Sequence, residues 1–251
     1  DAGVGGSVTQ TATHDILAGG SVAIDAPSGV TLNGTIGSGA DVGVNVNINQ
    51  TAGTVGAVDI NNTIDAAGDI LVSGASIDNT GGALDAAMGV SLTATGNVTV
   101  GAAITADANT VNGGNDAVKI DTNGDVTVNA TITTALAVVG LNIDIDPVNV
   151  AVNANMTDTG NIDITASNNV TVAAAVVVRA DSDGDGGTLN ITADDANDVD
   201  GAGDLTANTT STLRGHTVNL DGFNVTTGIV TARLDFTWDR VELEAALRTA
   251  A

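Results

Sequence analysis

Cysteine is absent from the 251 residues, which excludes a disulfide framework and thiol chemistry. Tyrosine is absent too, and Phe223, Phe236 and Trp238 are the only aromatics. With 43% hydrophobic but 1% aromatic residues, any core must be filled with Val, Ile, Leu and Ala, which suits a thin interior. Lysine occurs only at 119 and glutamate only at 242 and 244. Both are good helix formers, whereas Asp and Asn belong at turns, so this scarcity argues against helices throughout residues 1 to 240. Positive charge is sparse: six Lys and Arg face thirty acids, for a net charge of -24. Nucleic acid is therefore excluded as a partner and anionic lipid is disfavoured. No run is long and apolar enough to span a bilayer; residues 135–141 and 173–178 are only strand-length. His14 and His216 are the only histidines, and no serine has a nucleophile-elbow setting. A polysaccharide-acting β-helix enzyme would need clustered carboxylates with Arg or Lys. Only Asn115-Asp116-Ala-Val-Lys119 and Arg214-Gly-His216 suit that role, and they lie several coils apart, so the chain reads as a non-enzyme.

What is present is a repeat. Val22-Ala-Ile24 is followed by Val30-Thr-Leu32, and the same pairing recurs at 90–92 with 98–100, 118–120 with 126–128, 143–145 with 150–152, 162–164 with 170–172, and 218–220 with Val225. A further apolar residue follows each pair: Ile36, Ile104, Ile132, Met156, Val176 and Ile229. Period-two alternation sends Val118, Ile120, Val126 and Val128 to one face and Lys119, Asp121 and Thr127 to the other. Corners such as Asp121-Thr-Asn-Gly-Asp125 tolerate turn conformations. Such a unit cannot bury its own apolar face; stacking coil on coil closes a narrow core and pairs the backbone. The expected fold is all-β: a single-domain parallel β-helix of about nine coils, on the order of 40 Å long at ~4.8 Å per coil. Ten Asn-x-Thr sequons accompany the repeat, at positions including Asn33, Asn129, Asn169 and Asn224. They read first as asparagines that hydrogen-bond their stacked neighbours.

Units such as Gly124-Asp-Val-Thr-Val-Asn-Ala-Thr-Ile132 and Gly160-Asn-Ile-Asp-Ile-Thr-Ala166 resemble the filamentous haemagglutinin-like β-helical adhesins and related S-layer or autotransporter-passenger repeats. The resemblance covers roughly residues 20 to 230. It implies a right-handed β-helix on the outside of a prokaryotic cell. No secretion module is recognisable at the start, and the chain is short for such an adhesin, so a small polymerising subunit or a fragment is expected.

Residues 1–18 read as an arm or first irregular coil, 19–232 as the solenoid, and 233–251 as a cap or interface segment. Asp239 with Glu242 has capping-box spacing, which predicts a short helix from about Arg240 to Ala250. Arg233, Phe236, Trp238, Arg240 and Arg248 concentrate the aromatic and basic residues there, as a subunit contact would. Head-to-tail contacts that do not close into a ring make a filament. One local motif suggests a cation: Asp181, Asp183 and Asp185 alternate before a glycine, as in the first half of a calcium loop. Thr192 stands where the closing Glu would be, leaving Asp194, Asp195, Asp198, Asp200 and Asp204 to complete a site if loops stack; Asp107, Asp116 and Asp158 read as corner residues. Two functions follow. One is an extracellular structural subunit that associates with itself into a filament or layer. The other is an adhesin stalk that offers lateral loops such as 181–204 to glycans or surfaces.

Overall fold

The computed structural model describes residues 5–37, 45–50, 56–108, 116–134, 142–184, 186–194 and 203–232. Among them the chain forms 27 short strands and no helix. Each turn lays one strand in each of three parallel sheets. The first sheet has nine strands, from Val22–Ile24 to Thr217–Asp221. The second has ten, from Ser7–Gln10 to Val225–Thr226. The third has eight, from Ile64–Ala66 to Ile229–Ala232, and is prolonged at its start by the bridges Ile16–Ile36 and Ile36–Ile64. This is a β-solenoid whose nine rungs in the first sheet span about eight turns.

Register explains the core. Strand Val118–Thr122 pairs with Asn142–Asp146 so that Val118 meets Ile143 and Ile120 meets Ile145. In the second sheet Val126 and Val128 meet Val150 and Val152, and in the third Ile132 meets Met156. One unbroken apolar column in the third sheet runs Ile64, Leu84, Ile104, Ile132, Met156, Val178, Leu213, Val230. Interior residues of the middle rungs are fully buried, Leu92, Ile120 and Ile132 among them. Because the sheets enclose a narrow space, β-branched residues interlock where an aromatic ring would force the rungs apart.

Buried polar residues interrupt some of the inward columns, Asn79 among them. Asn79 follows strand Ile77–Asp78 on the line of Ile60 and Val100 and is fully buried. Its Oδ1 accepts from the Gly101 amide at 3.0 Å, and its Nδ2 donates to the Ala102 and Gly82 carbonyls at 3.0 and 3.2 Å. These bonds offset its desolvation.

The corners are tied by amide ladders. At the entry to the second sheet, Asn97 accepts from the Asp125 amide at 3.0 Å, and Asn149 donates to Asp125 at 2.7 Å. Asn169 then donates to Asn149 at 3.2 Å, Asn169 accepts from the Asp204 amide at 2.9 Å, and Asn224 donates to Asp204 at 2.7 Å. Asn61 on Asn33 and Asn153 on Asn129 repeat the device elsewhere. The stacked-asparagine reading of the sequons holds at these positions. Tight stacking also demands glycine: a methyl at Gly124 would stand 2.5 Å from the Gly96 carbonyl carbon.

Two expectations shift. The residue that continues the third-sheet column after Met156 is Val178, not Val176, which is buried in the preceding corner. At the last rung the column residue is Val230 rather than its neighbour Ile229. The helix expected over 240–250 lies outside the described residues.

The enclosed column sets an expected outcome. Ile132→Ala removes apolar contacts on both neighbouring rungs and costs about 2–5 kcal/mol. Thr133→Ala, one residue along and facing out, changes stability by about 0.5 kcal/mol or less. Urea unfolding of both variants checks this contrast.

Candidate functional site

The rules that bury the apolar columns also order the outside. On the first sheet the outward residues Lys119, Asp144, Asp163, Asn190 and Asn219 occupy consecutive rungs. Beside them run Thr165, Thr192 and Asp221. Lys119 Nζ meets Asp144 Oδ2 at 2.8 Å, Thr165 donates to Asp163 at 3.1 Å, and Asn219 donates to Asn190 at 2.8 Å. The last three rungs of this face frame an open groove of about 730 Å³, lined by Asp163, Thr165, Asn190, Thr192, Asn219 and Asp221 together with Val218 and Leu220. A smaller recess of about 250 Å³ adjoins it, between Asp116, Asn142, Asp144, Asn161 and Asp163. Burial raises the Asp116 carboxyl above its ordinary range; Asp144 adds to the rise and Lys119 opposes it. The Asp144 bond raises the Lys119 ammonium in turn. This face offers amides, hydroxyls and carboxylates, the donors and acceptors that a polyhydroxylated ligand would meet.

The two ends of the stack differ. At the final rung Phe223 is 61% exposed, Val225 44%, Ile229 55% and Val230 43%. Leu205 and Leu213, which Val225 and Val230 meet one rung back, are fully buried. At the first rung Val22 and Ile24 are each only 8% exposed. There the Gln10 side chain folds inward, donating to the His14 and Thr35 carbonyls at 2.6 and 3.2 Å. This exposed rung ends the described residues, and 233–251 follow it in sequence; Arg233, Phe236, Trp238, Arg240 and Arg248 lie outside the described residues.

The acidic loop follows strand Val177–Arg179 at the corner between third and first sheets. Asp181 is buried with a left-handed φ of 59°, and its Oδ1 accepts from the Gly186 amide at 2.8 Å. Asp183 follows it, and Asp185 lies outside the described residues. Asp194 and Asp204 are at the corner between first and second sheets, where Asp204 belongs to the amide ladder, so they do not complete a site with Asp181. Among the described residues no three His, Cys, Asp or Glu side chains converge to hold a metal ion. The remaining sequence candidates also separate. Lys119 and Asp116 belong to the first sheet, whereas Arg214 lies on strand Thr212–Gly215 of the third, three rungs on. His216 sits at the bend after it, its amide bonded to the Gly187 carbonyl at 2.8 Å.

Asp158 lies at the corner between Met156–Thr157 and Asn161–Ala166, as expected, but is sealed from water. It is fully buried, one rung below Ala180, with Oδ1 accepting the Thr134 hydroxyl and Oδ2 having no partner. Desolvation pushes its carboxyl up to about 7, against the bonds from Thr134, Thr159 and Gly160, and Asp183 adds to the rise. Sequence could not mark it, because Thr157-Asp-Thr-Gly160 has the composition of a solvated turn.

Compared with known proteins, the chain matches no family model, no curated protein and no solved structure. The fold by itself defines the class: a β-solenoid repeat protein of stacked parallel coils.

Asp158 makes stability pH-dependent with a definite sign. Between about pH 4 and 7 the folded state holds a proton that the unfolded state releases, so stability falls as pH rises through that window. Asp158→Asn keeps the Thr134 bond without the charge. It is expected to flatten this slope and to be a few kcal/mol more stable than wild type at pH 8, since each tenfold change in proton affinity between the two states is worth about 1.4 kcal/mol. Urea midpoints from pH 4 to 8 for both chains check it; parallel curves would refute it.

Proposed function

We propose that the chain is an extracellular structural protein, a β-solenoid subunit that joins head to tail into a filament or layer on a prokaryotic surface. The observation that carries this reading is the uncovered final rung. Thr217–Asp221, Val225–Thr226 and Ile229–Ala232 each end a sheet among the described residues, and they leave apolar side chains and strand edges exposed. Such an edge is a template for another strand. The first rung offers the match: Val22 and Ile24 would continue the columns of Val218 and Leu220, Val8 that of Val225, and Ile16 that of Val230. All three sheets are parallel throughout, so a second copy stacked with the same polarity meets like with like. Kinship with haemagglutinin-like or autotransporter-passenger repeats fits this reading and belongs to the same proposal.

A second reading, an adhesin stalk that binds glycans, is favoured by the groove on the first sheet. Its lining sets Asp163, Thr165, Asn190, Thr192, Asn219 and Asp221, polar residues repeated along the axis, beside Val218 and Leu220.

Sedimentation and negative-stain microscopy of the full chain separate the two. Both are run with calcium and with chelator, because 181–185 alternates carboxylates. End-to-end assembly gives filaments whose axial repeat approaches the ~40 Å rod. Val225→Asp combined with Val230→Asp places charges on the exposed rung and is expected to leave monomers with an unchanged circular dichroism spectrum. Wild-type monomers at every concentration in both conditions would end the structural reading.

A further inference from the structure

Arg179 and Arg214 stand directly above one another. Strands Val177–Arg179 and Thr212–Gly215 pair in parallel with Arg179 opposite Arg214. Val178 and Leu213 point into the core, so both arginine side chains start from the outer face, on strands about 4.8 Å apart along the axis. Like charges at directly paired positions repel. In a chain with thirty acids the expected relief is a carboxylate on a neighbouring rung, as Asp144 provides for Lys119. At the paired positions there is none: the rung below presents Thr157 and the rung above Thr231, and Asp181 and Asp183, in the turn after Arg179, form no ion pair with it. Lys119 with Asp144 is the ion pair that forms among the described residues; neither arginine makes one.

The hydrogen-bonding capacity of the pair is also left over. Arg179 donates from Nη2 to the Ser182 carbonyl at 2.7 Å, while its Nε is buried without a partner. The Ser182 hydroxyl, on the same turn, is buried without a partner as well. Arg214 is exposed and makes no side-chain bond among the described residues. The exposed Arg214 fork, with the remaining donors of Arg179 beside it and Thr157 and Thr231 on the flanking rungs, matches the chemistry of a planar or tetrahedral oxyanion. We propose that Arg179 and Arg214 form an oxyanion site on the outer face of the third sheet, which takes the carboxylate, sulfate or phosphate group of an external ligand. The counter-charge missing from the protein is then the ligand's.

The site is independent of end-to-end joining, because it lies on the side of the rod. The test is isothermal titration and thermal melting of the full chain with sodium sulfate, inorganic phosphate and glucuronate as separate probes. Each is compared with sodium chloride at equal ionic strength and kept at low millimolar concentration, where general salting effects are small. Wild type is expected to bind at least one probe saturably with a rise in Tm beyond that in chloride, and the probe that binds names the source of the anion. Arg214→Gln is expected to weaken binding at least tenfold, and Arg214→Lys to restore only part of it, since an ammonium lacks the fork. Without oxyanion at low salt, Arg214→Gln is expected to melt at or above wild type because the repulsion is gone. No saturable binding of any probe beyond chloride, or equal binding by wild type and Arg214→Gln, would overturn the site.

Discussion

A strand of this chain has no partner but the strand one turn away, and the rest of the structure depends on that constraint. Strands of two to six residues cannot persist alone, and each obtains its hydrogen bonds and the cover for its apolar face from the rungs above and below. Register is therefore strict: a slip of one residue would turn Val118 and Ile120 outward and Lys119 inward. The near absence of aromatic rings, the glycine where Gly124 crosses Gly96, and the asparagines stacked at corners all follow from holding neighbouring rungs at one spacing. The same dependence leaves the last rung with half of its requirements unmet among the described residues.

Strict register has an electrostatic cost. A repeat that places valine on valine also places charge on charge: Asp65 on Asp85, Asp144 on Asp163, Arg179 on Arg214. The chain relieves these contacts in different ways. Lys119 neutralises Asp144, and Asn190 follows Asp163 where a further acid would compound the repulsion. Asp85 shifts its carboxyl upward, by burial first and then by Asp65 and Asp107. At the arginine pair no ion pair forms among the described residues, and the proposed oxyanion site rests on that.

Much of the fold was legible in the sequence because period-two alternation at regular spacing marks six of the nine rungs. The other three were hidden for identifiable reasons. Residues 51–55 and 195–202 lengthen the connections from Ile48 to Val58 and from Ile191 to Leu205, and buried Asn79 breaks the apolar pattern of another rung. With the Leu189–Leu205–Leu213 turn unseen, and with Val176 taken for Val178, the adjacency of Arg179 and Arg214 could not be read. The exposed final rung was equally invisible, since Val225 and Val230 occupy core columns and differ only in their exposure at the end of the stack.

The sequence by itself determined the class of fold, the direction in which most side chains face and the character of the core, because these depend on local alternation and on turn residues at corners. Only the tertiary structure decided which rung lies on which. It thereby set which like charges meet, which acid is sealed from water and which apolar residues remain open. Those outcomes depend on the length of every corner between two rungs, and a single inserted loop shifts the pairing of distant residues without changing the pattern of either strand.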